Sequence, residues 1–94
     1  MTDLLLETLR VRFRETTAVR LSEMQALLDA FDRGDGAAAE QLTRHFHALS
    51  GMGATYGYPR ISDLGDEGER LSVGDAATAA RWRELLAEVE RELC

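Results

Sequence analysis

The histidine at position 47 is the side chain best placed for covalent chemistry in this sequence. Stepping 100° per residue from Leu42 puts Phe46 and Leu49 on one inward stripe, within about 40° of Leu42, and turns His47 about 140° away. Gly51 lies one turn later on that outer face, although a glycine inside a helix lowers its stability by about 1 kcal/mol relative to alanine. A glycine beside an exposed imidazole clears space for a group attached to the ring and for a docking partner. The alternative is an incidental surface histidine near a tolerated glycine.

The other residues on this predicted helix separate into two groups. Glu40, Arg44 and Ala54 share the outer face with His47. His45 lies about 60° from the core stripe on the opposite side, so the two histidines diverge and cannot share a metal ion. A metal-dependent hydrolase would need several inward His and carboxylate ligands on facing helices, which this spacing does not supply. Gly53 falls on the core stripe, where close packing against a neighbouring helix explains it.

Composition and charge narrow the class of protein. The chain has 94 residues, 45% of them apolar and 30% charged, which predicts one folded domain spanning residues 1–94. Its formal net charge of −6 argues against a nucleic-acid partner, because phosphate binding needs a basic face. The chain has no apolar run long enough for a membrane span, and a lone Cys94 forms no internal disulfide. We expect a cytoplasmic protein whose partners are other proteins.

Apolar residues recur at helical spacing throughout, and strand-like alternation is absent, so the predicted fold is all-α: an antiparallel up-and-down four-helix bundle. A first helix starts at Thr2 or Asp3 and carries Leu5, Leu6, Leu9 and Phe13. The pair Thr16-Thr17 weakens helix propensity, so a break there would create an extra N-terminal helix. The next stretch stops at Gly34, which tolerates a left-handed backbone.

Helix-capping and helix-breaking residues predict where the remaining helices begin and end. Asp35 caps the histidine helix, which runs to about Ala54, and Pro59 suits the first turn of the next helix, which Gly65 and Gly68 weaken. A short loop over residues 72–74 and a cap at Asp75 introduce the last helix. The residues predicted to be largely buried are Leu28, Phe31, Leu42, Phe46, Leu49, Leu64, Leu86 and Val89.

The string from His47 to Gly57, HALSGMGATYG, followed by YPRISDL, resembles the histidine-containing phosphotransfer (HPt) domain. That family's signature has a leucine two residues and a glycine four residues after the histidine, then small residues and a glycine at the helix end. The junction Arg33-Gly34-Asp35 also looks like the family, so the resemblance covers roughly residues 15–93. One departure is Ser50, where the family often has Lys. Arg44, on a neighbouring part of the same face, is the candidate substitute for that cation.

The resemblance implies that His47 is the phosphoryl acceptor and donor, with Arg44, Ser50, Gly51 and Ala54 forming the face around the phosphohistidine. Its neutral imidazole would attack an aspartyl phosphate on a response-regulator receiver domain without an activating base of its own. A hybrid sensor histidine kinase is a further expected partner. No cofactor is expected, because in this family the magnesium belongs to the receiver. No nucleotide-binding loop and no Lys occur, so no ATP-dependent kinase activity is expected. The alternative function is a helical binding or scaffold module that docks a signalling protein without phosphotransfer.

Overall fold

The described part of the chain folds into four helices and one short turn of 3-10 helix. The computed structural model describes residues 2–71 and 76–94, and within them there is no strand, as predicted. The predicted loop over residues 72–74 and the cap at Asp75 lie outside the described residues. No helix in the described ranges is both long and apolar enough to cross a lipid bilayer. The elements are α1 (Thr2–Asp32), α2 (Ala37–Met52), the 3-10 turn (Ala54–Tyr56), α3 (Pro59–Arg70) and α4 (Ala76–Leu93).

Neighbouring helices run antiparallel, which confirms the up-and-down topology. Arg20 of α1 contacts His45 in α2, whereas Phe13, earlier in α1, stacks on Tyr56 just beyond the end of α2. The order of contacts is therefore reversed between the two helices. The same reversal relates α2 to α3, where Gly53 lies against Ser62 and Phe46 lies against Gly68. It also relates α3 to α4, where Arg60 pairs with Glu88 and Glu67 pairs with Arg81. Each helix packs on two others, so the four form a closed square around one core.

The possible break at Thr16-Thr17 is wrong, because α1 continues as a single helix of 31 residues. Thr17 is buried on the side of α1 that packs into the bundle, so its β-branched side chain is stabilised by packing. The hydroxyl of Thr16 donates back to the carbonyl of Arg12 within the same helix. Tertiary packing thus outweighs the weak local propensity of two adjacent threonines.

The connection between α1 and α2 follows the predicted chemistry. Gly34 has φ of +98°, a left-handed conformation that glycine adopts without strain. The amide of Asp35 then donates to the carbonyl of Ala30 at 3.0 Å, which is the closing bond of a Schellman motif. The Asp35 carboxylate in turn accepts from the amide of Ala37 at 3.1 Å, in the first turn of α2. Gly34 therefore acts as the helix stop, whereas the N-cap position of α2 is Gly36 and Asp35 supports the first turn from one residue earlier.

The histidine helix ends two residues before the predicted boundary near Ala54. Regular α-helix stops at Met52, and Ala54 opens the 3-10 turn. Gly53 causes the change, because its carbonyl accepts from the amide of Tyr58 at 2.8 Å and folds the chain back toward Pro59. A side chain on Gly53 would collide with the backbone of Tyr58 and Ser62, which confirms its predicted close packing. The 100° arithmetic that placed Ala54 on the His47 face ends with the helix.

The core contains seven of the eight residues predicted to be buried, and Phe31, the eighth, is partly buried at its edge. Trp82 of α4 is fully buried and donates its indole N–H to the carbonyl of Gly68 at 3.0 Å. The ring of Phe46 stacks on Trp82 with centroids 6.1 Å apart. These aromatic contacts lie directly beneath the outward face of α2, so they support the helix that carries His47.

Gly65 and Gly68, which were predicted to weaken α3, form its contact surface with α2. A Cβ on Gly65 would lie 2.5 Å from the backbone nitrogen of Ser50 and 2.7 Å from the carbonyl oxygen of Phe46. A Cβ on Gly68 would overlap the ring of Phe46. Only glycine lets the two helices approach so closely, so the helix-propensity cost is offset by packing. This approach brings Glu69 within reach of α2.

Candidate functional site

His47 lies on the outward face of α2, as predicted, with 74% of its side chain exposed. Its Nδ1 atom is 2.6 Å from Oε1 of Glu69, which projects from α3. Glu69 is more enclosed than the histidine, with 32% of its side chain exposed. The imidazole therefore has one nitrogen engaged by a carboxylate and the other directed to solvent.

The contact with Glu69 determines which nitrogen is available for chemistry. A carboxylate accepts hydrogen bonds, so Nδ1 carries the proton in this contact and the lone pair of neutral His47 resides on Nε2. A neutral nitrogen with an outward lone pair is a nucleophile that needs no base to deprotonate it. Glu69 was not among the predicted site residues, and it lies 22 residues further along the chain. The available signal was its place one residue after Gly68, on the rim of the glycine face of α3.

Removing the Glu69 carboxylate is expected to change the tautomer of His47. In the parent protein the Nδ1–H form should predominate, and Glu69→Ala should shift the tautomer ratio toward Nε2–H by a few-fold, the scale of one exposed hydrogen bond. Glu69→Gln is the matched control, because its amide oxygen can still accept from Nδ1. Nitrogen-15 NMR of the imidazole at a pH where it is neutral measures the ratio. An identical ratio in all three proteins would show that the contact does not orient the ring.

Arg44, the predicted substitute cation, is engaged elsewhere. Its guanidinium lies 3.1 Å from the carboxylate of Glu40, one turn earlier on the same helix. Both side chains are largely exposed, and an exposed pair of this kind contributes little free energy, so the guanidinium can leave Glu40 at small cost. Arg44 therefore shares the outer face with His47 without contacting it in this structure.

The other three predicted residues differ in their surroundings. Gly51 is exposed, and a Cβ added there would meet nothing within 4 Å, which confirms its predicted open position. Ser50 is partly buried, since its backbone lies against Gly65 of α3. Ala54 is exposed, and its amide donates to the hydroxyl of Ser62 at 2.7 Å. The structure thus places Gly51 on the same face of α2 as His47. Ser50 lies on the side of α2 that packs against α3, and Ala54 lies in the 3-10 turn after α2.

His45 points away from His47, toward α1, as the helical arithmetic predicted. Its Nδ1 accepts a hydrogen bond from the guanidinium of Arg20 at 2.8 Å, and its Nε2 lies 3.8 Å from the carboxylate of Glu23. Burial lowers the pKa of His45, and the positive charge of Arg20 lowers it further, while Glu23 opposes them. No group of three or more potential metal ligands occurs in the described ranges, 2–71 and 76–94.

The lowered pKa of His45 makes stability depend on pH. Unfolding restores the ordinary pKa of 6.5, so the unfolded chain takes up a proton on acidification before the folded chain does. The free energy of unfolding should therefore fall as pH drops below about 6.5, and His45→Gln should lose less stability than the parent over that interval. Urea unfolding at about pH 7.5 and about pH 5.5 measures this difference. Equal losses of stability in the parent and in His45→Gln would contradict this prediction. The control is His47→Gln, which changes the same residue type at an exposed position.

Comparison with known proteins agrees with the geometry. The family model for the Hpt domain matches residues 8–93. The match begins seven residues before the resemblance seen in the sequence, which starts near residue 15, and it includes most of α1. No curated protein and no solved structure gave a match.

Proposed function

The chain belongs to the Hpt domain family, and on that premise we propose that it relays phosphoryl groups between His47 and aspartates of response-regulator receiver domains. Hpt domains carry out histidine phosphotransfer in phosphorelays, and they interact there with receiver domains and kinases. The observation that carries the assignment to His47 is its geometry. This imidazole is exposed on the outward face of α2, with Nδ1 held by Glu69 and Nε2 free.

The proposed reaction is a direct displacement at phosphorus. The Nε2 lone pair of His47 attacks the phosphorus of an aspartyl phosphate, an N–P bond forms, and the P–O bond to the aspartyl carboxylate breaks. The proton on Nδ1 stays in place, so the ring becomes a phosphorylated imidazolium whose positive charge lies next to Glu69. In this proposal the carboxylate stabilises the cation formed at phosphoryl arrival, and the reverse step loads a second receiver.

The chain's part in this chemistry is to present and orient the nucleophile. Hpt domains are phosphotransfer intermediates and not kinases, and we propose that this chain has no ATP-dependent activity of its own. We further propose that it needs no cofactor, that any magnesium is contributed by the receiver, and that the relay operates in the cytoplasm. A hybrid sensor histidine kinase is the proposed upstream source of phosphate. The absence of Lys from the sequence and the exposed position of His47 support this division of roles.

Incubation with a phosphorylated receiver domain tests the proposal. We expect phosphate to move to this chain in a form that is labile to acid and stable to base, as phosphohistidine is. A second, unphosphorylated receiver should then remove it. Binding of the receiver without any transfer would instead support the alternative, a scaffold module that docks a signalling protein. Label that is stable to acid would exclude a phosphohistidine.

A bulky side chain at position 51 is expected to slow transfer without unfolding the bundle. Gly51 lies one turn from His47 on the outward face, and open space surrounds its Cα, so Gly51→Gln folds but projects an amide beside the imidazole. We expect a transfer rate at least about tenfold lower than that of Gly51→Ala, the matched control, whose methyl group meets nothing. Rates are compared with one receiver donor at one concentration. Equal rates in the two variants would show that Gly51 does not serve access to His47.

A further inference from the structure

A polar pocket of about 260 Å³ lies between α1 and α2, on the side of α2 that carries His45. Its lining residues are Arg20 of α1 and Gln41, Arg44 and His45 of α2. The three α2 residues lie one turn apart on the surface of one helix, and Arg20 faces them from the other helix. Each of the four side chains carries an N–H donor, and none is a carboxylate. In a chain with a formal net charge of −6, this pocket is therefore lined by positive charge.

Arg20 has no acidic partner within residues 2–71 and 76–94, the part of the chain that the structure describes. Its guanidinium donates to Nδ1 of His45 at 2.8 Å, and that acceptor is a neutral nitrogen. Seven other arginines of the chain each pair with a carboxylate. The positive charge of Arg20 is thus not neutralised by an ion pair, and its remaining N–H groups can donate to a ligand.

The contact with Arg20 also leaves one N–H of His45 without an acceptor. Because Nδ1 accepts from Arg20, the proton of the neutral ring resides on Nε2. The carboxylate of Glu23 lies 3.8 Å from Nε2, which is beyond hydrogen-bond distance. Only 19% of the His45 side chain is exposed. An oxygen atom that enters the pocket beside His45 would complete this hydrogen bond.

Arg44 supplies the second positive charge of the pocket. Its ion pair with Glu40 is exposed on both sides and contributes little free energy, so the guanidinium can turn into the pocket at small cost. Glu23 and Glu40 are the carboxylates that contact the lining residues, and neither lines the pocket itself. More than half of each of these two side chains is exposed, so water and salt screen their repulsion of an anion.

We propose that this pocket binds a phosphate-like oxyanion, held by Arg20 from α1 and by Arg44 from α2, with single hydrogen bonds from Gln41 and His45. A planar guanidinium donates to two oxygens of such an anion at once, a geometry that a spherical halide does not offer. The pocket volume of about 260 Å³ is several times the roughly 30 Å³ share of a water molecule, so the anion fits with water around it.

The proposed anion site is separate from the candidate phosphotransfer site. His45 faces Arg20 and α1, whereas His47 faces Glu69 and α3. The inference is therefore independent of the proposed function. Free phosphate and a phosphorylated side chain of a partner protein present the same oxyanion chemistry, and the pocket accepts either because Gln41 and Arg44 at its rim are exposed.

Titration with sodium phosphate, followed by NMR of the arginine Nε–H and histidine ring signals, tests the proposal. At about pH 7.5, where His45 is neutral, phosphate should move the signals of Arg20 and His45 with a Kd on the order of 1 mM, against sodium chloride of equal ionic strength. Arg20→Gln should weaken binding at least about tenfold, the effect of losing a hydrogen bond to a charged group. Arg12→Gln is the matched control, since it removes the same charge from the same helix outside this pocket, and it should bind as the parent.

Arg44→Gln is a second variant whose fold is secure, because 73% of the Arg44 side chain is exposed. It should also weaken phosphate binding, and circular dichroism verifies the fold of each variant. Equal binding by Arg20→Gln and Arg12→Gln would overturn the proposal, and so would signals that respond equally to phosphate and chloride. His47→Gln should still bind phosphate, and loss of binding in that variant would place the anion at the other histidine and contradict this site.

A titration with N-acetyl-O-phosphoserine amide distinguishes the two sources of the oxyanion. Binding at least as tight as that of inorganic phosphate would indicate a phosphorylated side chain of a partner protein, since the peptide group then adds contacts at the rim. Weaker binding would indicate free phosphate as the ligand. Failure of both probes to move the signals of Arg20 and His45 would overturn the proposal.

Discussion

Replacing His47 with Gln is expected to abolish phosphate acceptance from a phosphorylated receiver while the protein stays folded. The amide of Gln has no nucleophilic lone pair comparable to that of Nε2, so no N–P bond can form. Three-quarters of the imidazole is exposed, and its hydrogen bond goes to the exposed side of the bundle, to the carboxylate of Glu69, so its loss should change the free energy of unfolding by about 0.5 kcal/mol or less. Acid-labile label should fall to background, and the melting temperature should remain near that of the parent.

His45→Gln is the matched control for this experiment. It changes the same residue type two positions away on the same helix, at a site turned toward Arg20 and α1. Phosphate acceptance should persist in this variant, because the replaced ring points toward α1 and away from His47. Label carried by position 45 and not by position 47 would mean that the nucleophile had been assigned to the wrong face of α2.

Gly65→Ala is expected to cause a large loss of stability, because the added methyl group overlaps the backbone of a neighbouring helix. The added Cβ would lie 2.5 Å from the amide nitrogen of Ser50 and 2.7 Å from the carbonyl oxygen of Phe46. Both atoms belong to the backbone of α2, so no side-chain rotation relieves the overlap and the two helices must separate. Overpacking of this kind costs typically 1–3 kcal/mol, about 4–8 °C in melting temperature per kcal/mol for a domain of this size.

Replacing Gly51 with Ala should instead increase the free energy of unfolding. A Cβ there meets no atom within 4 Å, so Gly51→Ala gains helix propensity, up to about 1 kcal/mol, without a steric cost. Thermal and urea unfolding of the two variants beside the parent measure the contrast. A Gly65→Ala protein as stable as the parent would show that α2 and α3 do not pack as closely as the structure indicates.

Separation of α2 and α3 should also affect the candidate site. Glu69 reaches His47 only because Gly65 and Gly68 allow α3 to lie close against α2. The Gly65→Ala variant should therefore shift the His47 tautomer ratio in the same direction as Glu69→Ala. The glycines of α3 thus contribute to the site through the position of a carboxylate, without contacting the imidazole themselves.

The sequence by itself determined the features that depend on local geometry. A helix turns 100° per residue, so the opposite directions of His45 and His47 and the open position of Gly51 followed from counting along α2. The stop at Gly34 depends on the backbone preference of a single residue and was predicted, whereas the N-cap of α2 is Gly36, one residue after the predicted Asp35. The signature around His47 led to the family, which the match over residues 8–93 supports.

The tertiary structure decided every feature that depends on how the helices lie against one another. The partnership of His47 with Glu69 depends on the rotation and height of α3 relative to α2, which no spacing within either helix specifies. The glycines at 65 and 68 lower helix propensity, and only their contacts with α2 reveal why they are there. Thr16 and Thr17 weaken a helix locally, yet packing keeps α1 continuous. Leu5 and Leu9 have the spacing of buried residues, but they are exposed because their burial requires a partner surface as long as α1 itself.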